Sequence, residues 1–153
     1  MASSAASSFG SRSLSHARSR EGSASRYALL AGRFLFSAIF LMAGFMHFSA
    51  QEISFASQAG VPFARFLVPA SGIVAALGGL SILLGYRARW GAWLIVLFLV
   101  PVTLTMHNFW AAKDAMTAQM QMVMFLKNVT IMGGALMVAY FGSGPMSLDA
   151  RQS

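Results

Sequence analysis

The sequence predicts an all-α membrane protein, a bundle of four transmembrane helices preceded by a disordered N-terminal tail. The first observation is composition: of 153 residues, 57% are hydrophobic and only 10% are charged, whereas roughly a quarter of the residues in soluble domains carry charge. The second is distribution, because the apolar residues form four long blocks with turn-like gaps between them. Apolar blocks of about 20 residues are long enough to cross a bilayer.

Each apolar block predicts one span within a transmembrane domain of residues 27–142. The predicted spans are residues 28–48, 66–86, 90–106 and 120–141. Small residues such as Gly72 and Ala76 recur at four-residue spacing in the second block, which predicts close packing against a neighbouring helix. Pro69 is expected in the first turn of that helix, where a missing N–H does little harm. Pro101 predicts a kink in the third helix.

The two terminal segments are polar. Residues 1–26 are rich in Ser, Ala and Arg and have no apolar periodicity, which predicts a disordered cytoplasmic tail. An organellar transit peptide is the alternative, because such peptides are also rich in Arg and Ser and poor in acidic residues. Residues 143–153 form a short polar C-terminal tail. With four spans, most arginines lie on the side of the two termini, so the positive-inside rule predicts that both termini are cytoplasmic.

Composition also excludes several classes of function. The chain has no cysteine, which excludes thiolate catalysis, zinc–thiolate sites and iron–sulfur ligation by this chain. The basic residues lie beside the apolar blocks and form no stripe interleaved with aromatic residues, so we expect no nucleic-acid partner. Histidines and carboxylates near the spans are too scarce to predict a metal site. The eleven methionines are interpreted as adaptable core residues.

The polar side chains outside the tail concentrate in the hairpin between the third and fourth spans. His107, Asn108 and Trp110 close the third span, and Lys127 and Asn128 lie inside the fourth. A basic side chain within an apolar span is costly and needs a partner, a water path or a route to the interface. These five residues are therefore the primary candidates for contact with a ligand or a quinone.

Lys127 has two interpretations. Gln121, Asn128 and Ala135 recur at seven-residue spacing, which predicts a polar, small-residue stripe facing the bundle interior, with Lys127 beside it. Alternatively, Lys127 snorkels outward or pairs with a carboxylate such as Glu52, and only holds the helices together.

Three secondary candidates lie near the ends of the spans: Arg33, His47 and Glu52. Arg33 is also expected to act as an interface anchor, because its long side chain can reach the headgroup layer. His47, at the end of the first span, has the alternative interpretation of an ordinary interface residue.

Several of these runs resemble a known family. His107-Asn108-Phe109-Trp110, then Phe125-Leu126-Lys127-Asn128 with Gly133-Gly134, and Gly32-Arg33 in the first span resemble the signature of the DoxX family of small four-helix bacterial membrane proteins. The resemblance covers about residues 33–142. It implies a multi-pass protein of the bacterial inner membrane that acts as a non-catalytic or accessory subunit in membrane redox or quinone-linked chemistry. The resemblance also implies redox-enzyme subunits as partners and quinone as the candidate cofactor. The lipid bilayer as a partner follows from the apolar blocks, and a second copy of the chain is a further candidate partner.

The sequence is compatible with two functions. In the first, the chain is a redox-associated subunit that contacts quinone through the polar hairpin. In the second, it is a structural scaffold or a small-solute carrier with no redox role, and its polar groups fix helix packing. A proton- or metal-linked transporter would need a carboxylate inside a span, and no predicted span contains one.

Overall fold

The computed structural model describes residues 3–151, with side chains from residue 25 onward. The helices, in chain order, are α1 (Ser3–Met46), α2 (Ala50–Gln58), α3 (Ala64–Leu84), α4 (Ala88–Met106), a 3-10 helix (Phe109–Ala111), α5 (Ala115–Phe141) and a 3-10 helix (Asp149–Arg151). Four stretches are long and apolar enough to cross a membrane: Ser25–Met46, Ala64–Leu84, Ala88–Ala111 and Ala115–Phe141. The described residues form no strand, and the predicted four-span, all-α fold is confirmed.

The helices differ from the apolar blocks mainly at their N-terminal ends. α5 begins at Ala115 because Asp114 caps it, its carboxylate accepting a hydrogen bond of 2.9 Å from the Thr117 N–H. α3 begins at Ala64, so the expectation that Pro69 lies in its first turn is wrong. Pro69 lies in the second turn, where it removes one backbone hydrogen bond. α1 is helical back to Ser3, and the assignment of residues 1–26 as a disordered tail or transit peptide stays a prediction.

The connection between the first two spans contains a helix that the apolar pattern does not predict. The hydroxyl oxygen of Ser49 accepts a hydrogen bond of 3.2 Å from the Glu52 N–H and so caps α2. Ala56 of α2 is buried with Ala64 and Val68 of α3. A Ser–x–x–Glu sequence is a recognised start signal for a helix, and here it places α2 across the first turns of α3.

α3 packs closely against both α1 and α4 through residues without bulky side chains. A β-carbon on Gly44 of α1 would lie 2.7 Å from the Ala76 β-carbon of α3. A β-carbon on Gly78 would lie 2.8 Å from Ile95 Cδ1 and 2.9 Å from the Gly91 carbonyl oxygen of α4. The prediction that small residues of the second span serve close helix packing is therefore confirmed.

The core is formed by one face of each spanning helix. Its buried members are Phe40, Ala75, Ile82, Ala92, Ile95, Phe98, Leu99 and Ala135. The Phe36 ring of α1 packs on Gly134 of α5 and joins the first and last spans. Many large apolar side chains point outward instead, as expected for helices whose outer faces contact lipid.

Residues 142–151, which we call the C-terminal segment, fold back onto the turn between α3 and α4. The Asp149 N–H donates to the Gly85 carbonyl at 2.9 Å. The Asp149 carboxylate accepts from the N–H groups of Arg87 at 2.8 Å and Ala88 at 3.3 Å, and from the Ser143 hydroxyl at 3.2 Å. Asp149 therefore caps the start of α4 from a distant part of the chain.

We expect Gly78→Ala to lower the free energy of unfolding by about 1–3 kcal/mol, the usual cost of overpacking a tight interface. The new methyl group would meet the Gly91 backbone, which has little freedom to move away. Gly133→Ala is the matched control, because no atom lies within 4 Å of its β-carbon position. Thermal unfolding in detergent measures both variants, and an equal loss for the two would contradict the proposed contact.

We expect Asp149→Asn to destabilise the protein by about 1 kcal/mol near neutral pH, the typical cost of a lost helix cap. Burial raises the pKa of Asp149, but the hydrogen bonds from Arg87, Ala88 and Ser143 and the positive charge of Arg87 outweigh burial and lower the pKa overall. The stabilisation is therefore fully present above the ordinary aspartate pKa of about 3.9. It is lost as the pH falls through the lower pKa of the folded state.

Measuring the free energy of unfolding of wild type and Asp149→Asn across pH 3–7 checks the direction of this pH dependence. The difference between the two proteins should shrink on acidification, and a difference that grows in acid would contradict the capping role.

Candidate functional site

A cavity of about 690 Å³ lies where α1 and α4 end, between α2 and the first turns of α3. Its polar lining residues are His47, Glu52, Ser71, Thr105, His107 and Asn108. The rest of the wall is largely apolar, with Phe55, Leu67, Val68 and Met106 among its members. We call this space the histidine cavity. An apolar wall with a few polar groups, at a volume of about 300–1,000 Å³, is typical of small-molecule sites.

His47 is held at the end of α1 by its own helix. Its Nδ1 lies 2.6 Å from the Ala43 carbonyl oxygen, and because a carbonyl only accepts, Nδ1 must carry the proton. The ring stands edge-on to Phe98, with centroids 5.6 Å apart. Gly72 allows this placement, since a β-carbon there would lie 2.6 Å from the His47 β-carbon. In the neutral imidazole with the proton on Nδ1, Nε2 of His47 is a hydrogen-bond acceptor.

His107 reaches across from the end of α4 to α5. Its Nδ1 lies 2.8 Å from Oε1 of Gln121, so in this arrangement Nδ1 donates and Nε2 is again an acceptor. The hydrogen bond fixes the ring and ties α4 to α5 on one side of the histidine cavity.

The hydroxyl groups of the cavity donate to their own helices. Ser71 donates to the Val68 carbonyl at 2.8 Å, and Thr105 donates to the Pro101 carbonyl at 2.7 Å. The groups left for a ligand are then mainly acceptors, namely two imidazole nitrogens and the Glu52 carboxylate, with the Asn108 amide as the donor. The arrangement favours a ligand that carries hydroxyl groups on an apolar frame.

The structure brings together four of the eight candidate residues, and the other four lie elsewhere. His107 and Asn108 from the primary set line the cavity together with His47 and Glu52 from the secondary set. Trp110 instead packs edge-to-face against Phe109 and Phe125, with centroids 5.1 Å and 5.9 Å from its own.

The expectation that Lys127 faces the bundle interior is wrong. Asn128 and Ala135 are buried and Gln121 is half-buried, as the seven-residue stripe predicts, but Lys127 is exposed. Successive helical residues are rotated by about 100°, so the residue beside a buried asparagine falls on the outer surface. No ion pair joins Lys127 to Glu52 among residues 25–151, and the snorkelling interpretation of Lys127 remains open.

Arg33 lies at the other end of the bundle, against the C-terminal segment, and its role as an interface anchor stays a prediction. Arg33 is only 6% exposed, because the C-terminal segment covers it. Its Nη2 donates to the Met146 carbonyl at 2.7 Å. Nε and Nη1 are buried and have no partner in the described part of the chain.

Sequence reasoning missed the contribution of α2 and the partner of His107. The Ser49–x–x–Glu52 capping signal could have located α2. Nothing in the sequence pairs His107 with Gln121, because a turn and a 3-10 helix separate them. Within residues 25–151, no group of three His, Asp or Glu side chains lies close enough to hold a metal ion.

Comparison with known proteins identifies the family. The SURF4 family model matches residues 11–153. The inner membrane protein YqjF of Escherichia coli (strain K12) is 30% identical over 123 residues, which cover 79% of this chain and 88% of YqjF. The inner membrane protein YphA of the same organism is 28% identical over 133 residues, 85% of this chain and 94% of YphA. No solved structure matches the chain.

The expected membership of the DoxX family is therefore wrong, because the matching family model is SURF4. The runs that suggested DoxX are short glycine, aromatic and polar sequences at helix ends and contacts. Such runs serve helix packing and interface anchoring in any small four-span protein, so they do not separate one family from another.

We expect Gln121→Met to lower the free energy of unfolding by about 1 kcal/mol, because the partly buried His107 Nδ1 loses its acceptor. Gln119→Met is the matched control on an exposed position of the same helix. Thermal unfolding of the detergent-solubilised protein distinguishes the two, and equal stabilities would show that the hydrogen bond contributes nothing.

Proposed function

We propose, from the premise that this chain belongs to the SURF4 family, that it is a multi-pass protein of the inner membrane that binds a small lipophilic molecule in the histidine cavity. The ligand class we favour is a quinone-type headgroup, bound in a non-catalytic or accessory role beside membrane redox enzymes. The names of the relatives YqjF and YphA support the inner-membrane location. The excess of arginines on the side of both termini supports a cytoplasmic location for them.

The composition of the histidine cavity is the observation that carries this proposal. A quinone or quinol headgroup is a flat apolar ring with oxygens on opposite sides. An apolar wall suits the ring, and the free Nε2 atoms of His47 and His107 can accept hydrogen bonds from quinol hydroxyls. The Asn108 amide can donate to a quinone carbonyl.

The position of the cavity supports a ligand that arrives from the lipid phase. Phe55 and Leu67 line the cavity and are 51% and 49% exposed. Side chains that border both the cavity and the outer face of the bundle allow a hydrophobic molecule to enter sideways from the bilayer.

Partner subunits form part of the proposal. The chain has no cysteine, so any thiol-based redox chemistry belongs to a partner. A redox-enzyme subunit or a second copy of the chain could pack on α5, of whose span only 11% is buried.

A structural scaffold or small-solute carrier without a redox role is the second candidate function. The hydrogen bond between His107 and Gln121 and the serine and threonine bonds to their own helices favour it, because they serve packing without any ligand. In that case, loss of His107 would lower the melting temperature and would leave redox behaviour in cells unchanged.

Partition of a short-chain ubiquinone or its quinol into nanodiscs with and without the purified protein tests the quinone proposal. We expect saturable binding by wild type and a loss of about tenfold in affinity for His47→Leu combined with His107→Leu, since two hydrogen-bond acceptors disappear. Lys127→Gln is the control, because Lys127 is exposed and does not line the cavity.

Two results would overturn the quinone assignment. One is the absence of saturable binding by a wild-type protein whose melting curve shows that it is folded. The other is an equal loss of affinity in the histidine variant and in Lys127→Gln.

A further inference from the structure

A second recess lies at the opposite end of the bundle, between the start of α4 and the C-terminal segment. It has a volume of about 420 Å³, and we call it the arginine groove. Arg87, Arg89 and Trp90 line one side, and Ser143, Ser147 and Asp149 line the other. The groove is separate from the histidine cavity and plays no part in the function proposed above.

The positive charges of the arginine groove exceed the negative charge beside them, because Arg87 acts on the Asp149 carboxylate and Arg89 adds a second cation. Arg87 and Arg89 are exposed, and no ion pair engages either side chain among residues 25–151. The one carboxylate of the groove, Asp149, accepts hydrogen bonds from the backbone N–H groups of Arg87 and Ala88 and from the Ser143 hydroxyl. Its hydrogen bonds thus go to the start of α4 and the C-terminal segment. The Arg87 guanidinium lies 5.7 Å from the centroid of the Tyr86 ring, a contact with the ring face that leaves its N–H donors available for a ligand, as those of Arg89 are.

A third guanidinium group lies behind the groove. A β-carbon placed on Gly85 would contact Arg33 Nη1 and the β-carbons of Ser147 and Ser143. The Arg33 guanidinium is therefore next to the two serines that line the groove. Arg33 is 6% exposed, and its Nε and Nη1 have no partner in the described part of the chain. A buried charge without a counter-charge is costly. A negative group in the groove would lower that cost by its charge alone, because the Ser143 hydroxyl donates to Asp149 and the Ser147 hydroxyl donates to the Gly144 carbonyl.

The rim of the groove indicates where its ligand comes from. Trp90 is 72% exposed and Phe141 is 72% exposed, and both side chains line the groove. An exposed tryptophan at the end of a span, such as Trp90, lies at the level of the lipid headgroups. Basic recesses between spans at this level suit the phosphate of an anionic lipid.

We propose that the arginine groove binds the phosphodiester headgroup of an anionic phospholipid. The phosphate oxygens accept from the guanidinium groups of Arg87 and Arg89, which are well suited to phosphate. The headgroup lies against the side of the groove formed by the C-terminal segment, while the acyl chains pass Trp90 and Phe141 into the bilayer. A bound lipid therefore connects the start of α4 to the C-terminal segment, in parallel with Asp149.

Native mass spectrometry of the full-length protein, titrated with phosphatidylglycerol or phosphatidylcholine, tests this site. We expect wild type to prefer phosphatidylglycerol, and the double variant Arg87→Gln/Arg89→Gln to bind it roughly thirtyfold more weakly, since two basic residues at a membrane surface are removed. Arg65→Gln/Lys113→Gln is the charge-matched control. Both of its positions are exposed and lie toward the other end of the spans. We expect it to retain wild-type binding.

Three results would overturn the proposal. The first is unchanged phosphatidylglycerol binding in a folded Arg87→Gln/Arg89→Gln protein. The second is an equal loss in the control variant, which would show that binding depends only on net charge. The third is displacement of the lipid by an equal concentration of inorganic phosphate, which would assign the groove to the free ion. Melting temperatures of all variants establish that each protein is folded.

Discussion

The close approach of α3 to α1 and α4 is the constraint on which the rest of the structure depends. Lipid tails are as apolar as leucine side chains, so the hydrophobic effect does not drive spans together, and contact must come from close packing. A β-carbon placed on Gly78 would lie 2.9 Å from the Gly91 carbonyl oxygen of α4. A β-carbon placed on Gly79 would lie 3.3 Å from the Ser37 carbonyl oxygen of α1. Helices this close leave little space between them in the middle of the bundle. Space for a ligand therefore arises where the helices end.

The histidine cavity follows from this arrangement. α1 ends beside Gly72 of α3, which places His47 in the wall of the cavity. α4 ends just before His107, which also lies in that wall. α2 then covers the gap because Ser49 starts a new helix immediately after α1. Each histidine uses Nδ1 within the protein, with Ala43 or with Gln121. The same bonds that position the rings thus determine which nitrogen remains for a ligand.

The sequence determines part of this architecture directly and part only through tertiary contacts. Apolar blocks predict the number of spans, and the stripe of Gln121, Asn128 and Ala135 predicts the inward face of α5, because both depend on local periodicity. The side on which Lys127 lies follows from the same periodicity, because one position along a helix changes the direction of a side chain by about 100°. With Asn128 facing inward, Lys127 falls on the outer surface, so the error was to place it with the stripe.

Features that depend on contacts between residues far apart in the sequence could not be predicted from local patterns. α2 has few apolar residues and shows no membrane-length block, so only its capping signal identifies it. The burial of Arg33 depends on Met146, a residue 113 positions away, and no local pattern indicates that contact. The candidate site was therefore half predicted: His107 and Asn108 were placed correctly at a span end, but the helix that encloses them was not.

The two ends of the bundle differ in their hydrogen-bonding character, and this difference comes from how each end is capped. At the end with His47 and His107, a backbone carbonyl oxygen and an amide oxygen accept hydrogen bonds from the imidazole Nδ1–H groups, which leaves Nε2 of each neutral ring as an acceptor. At the other end, the Asp149 carboxylate caps α4 by accepting from backbone N–H groups. The guanidinium groups of Arg33, Arg87 and Arg89 form no ion pair within residues 25–151, although the charge of Arg87 acts on Asp149. Stabilising the fold thus makes one end rich in acceptors and the other rich in cationic donors, which is why the ligands proposed for the two recesses differ in chemistry.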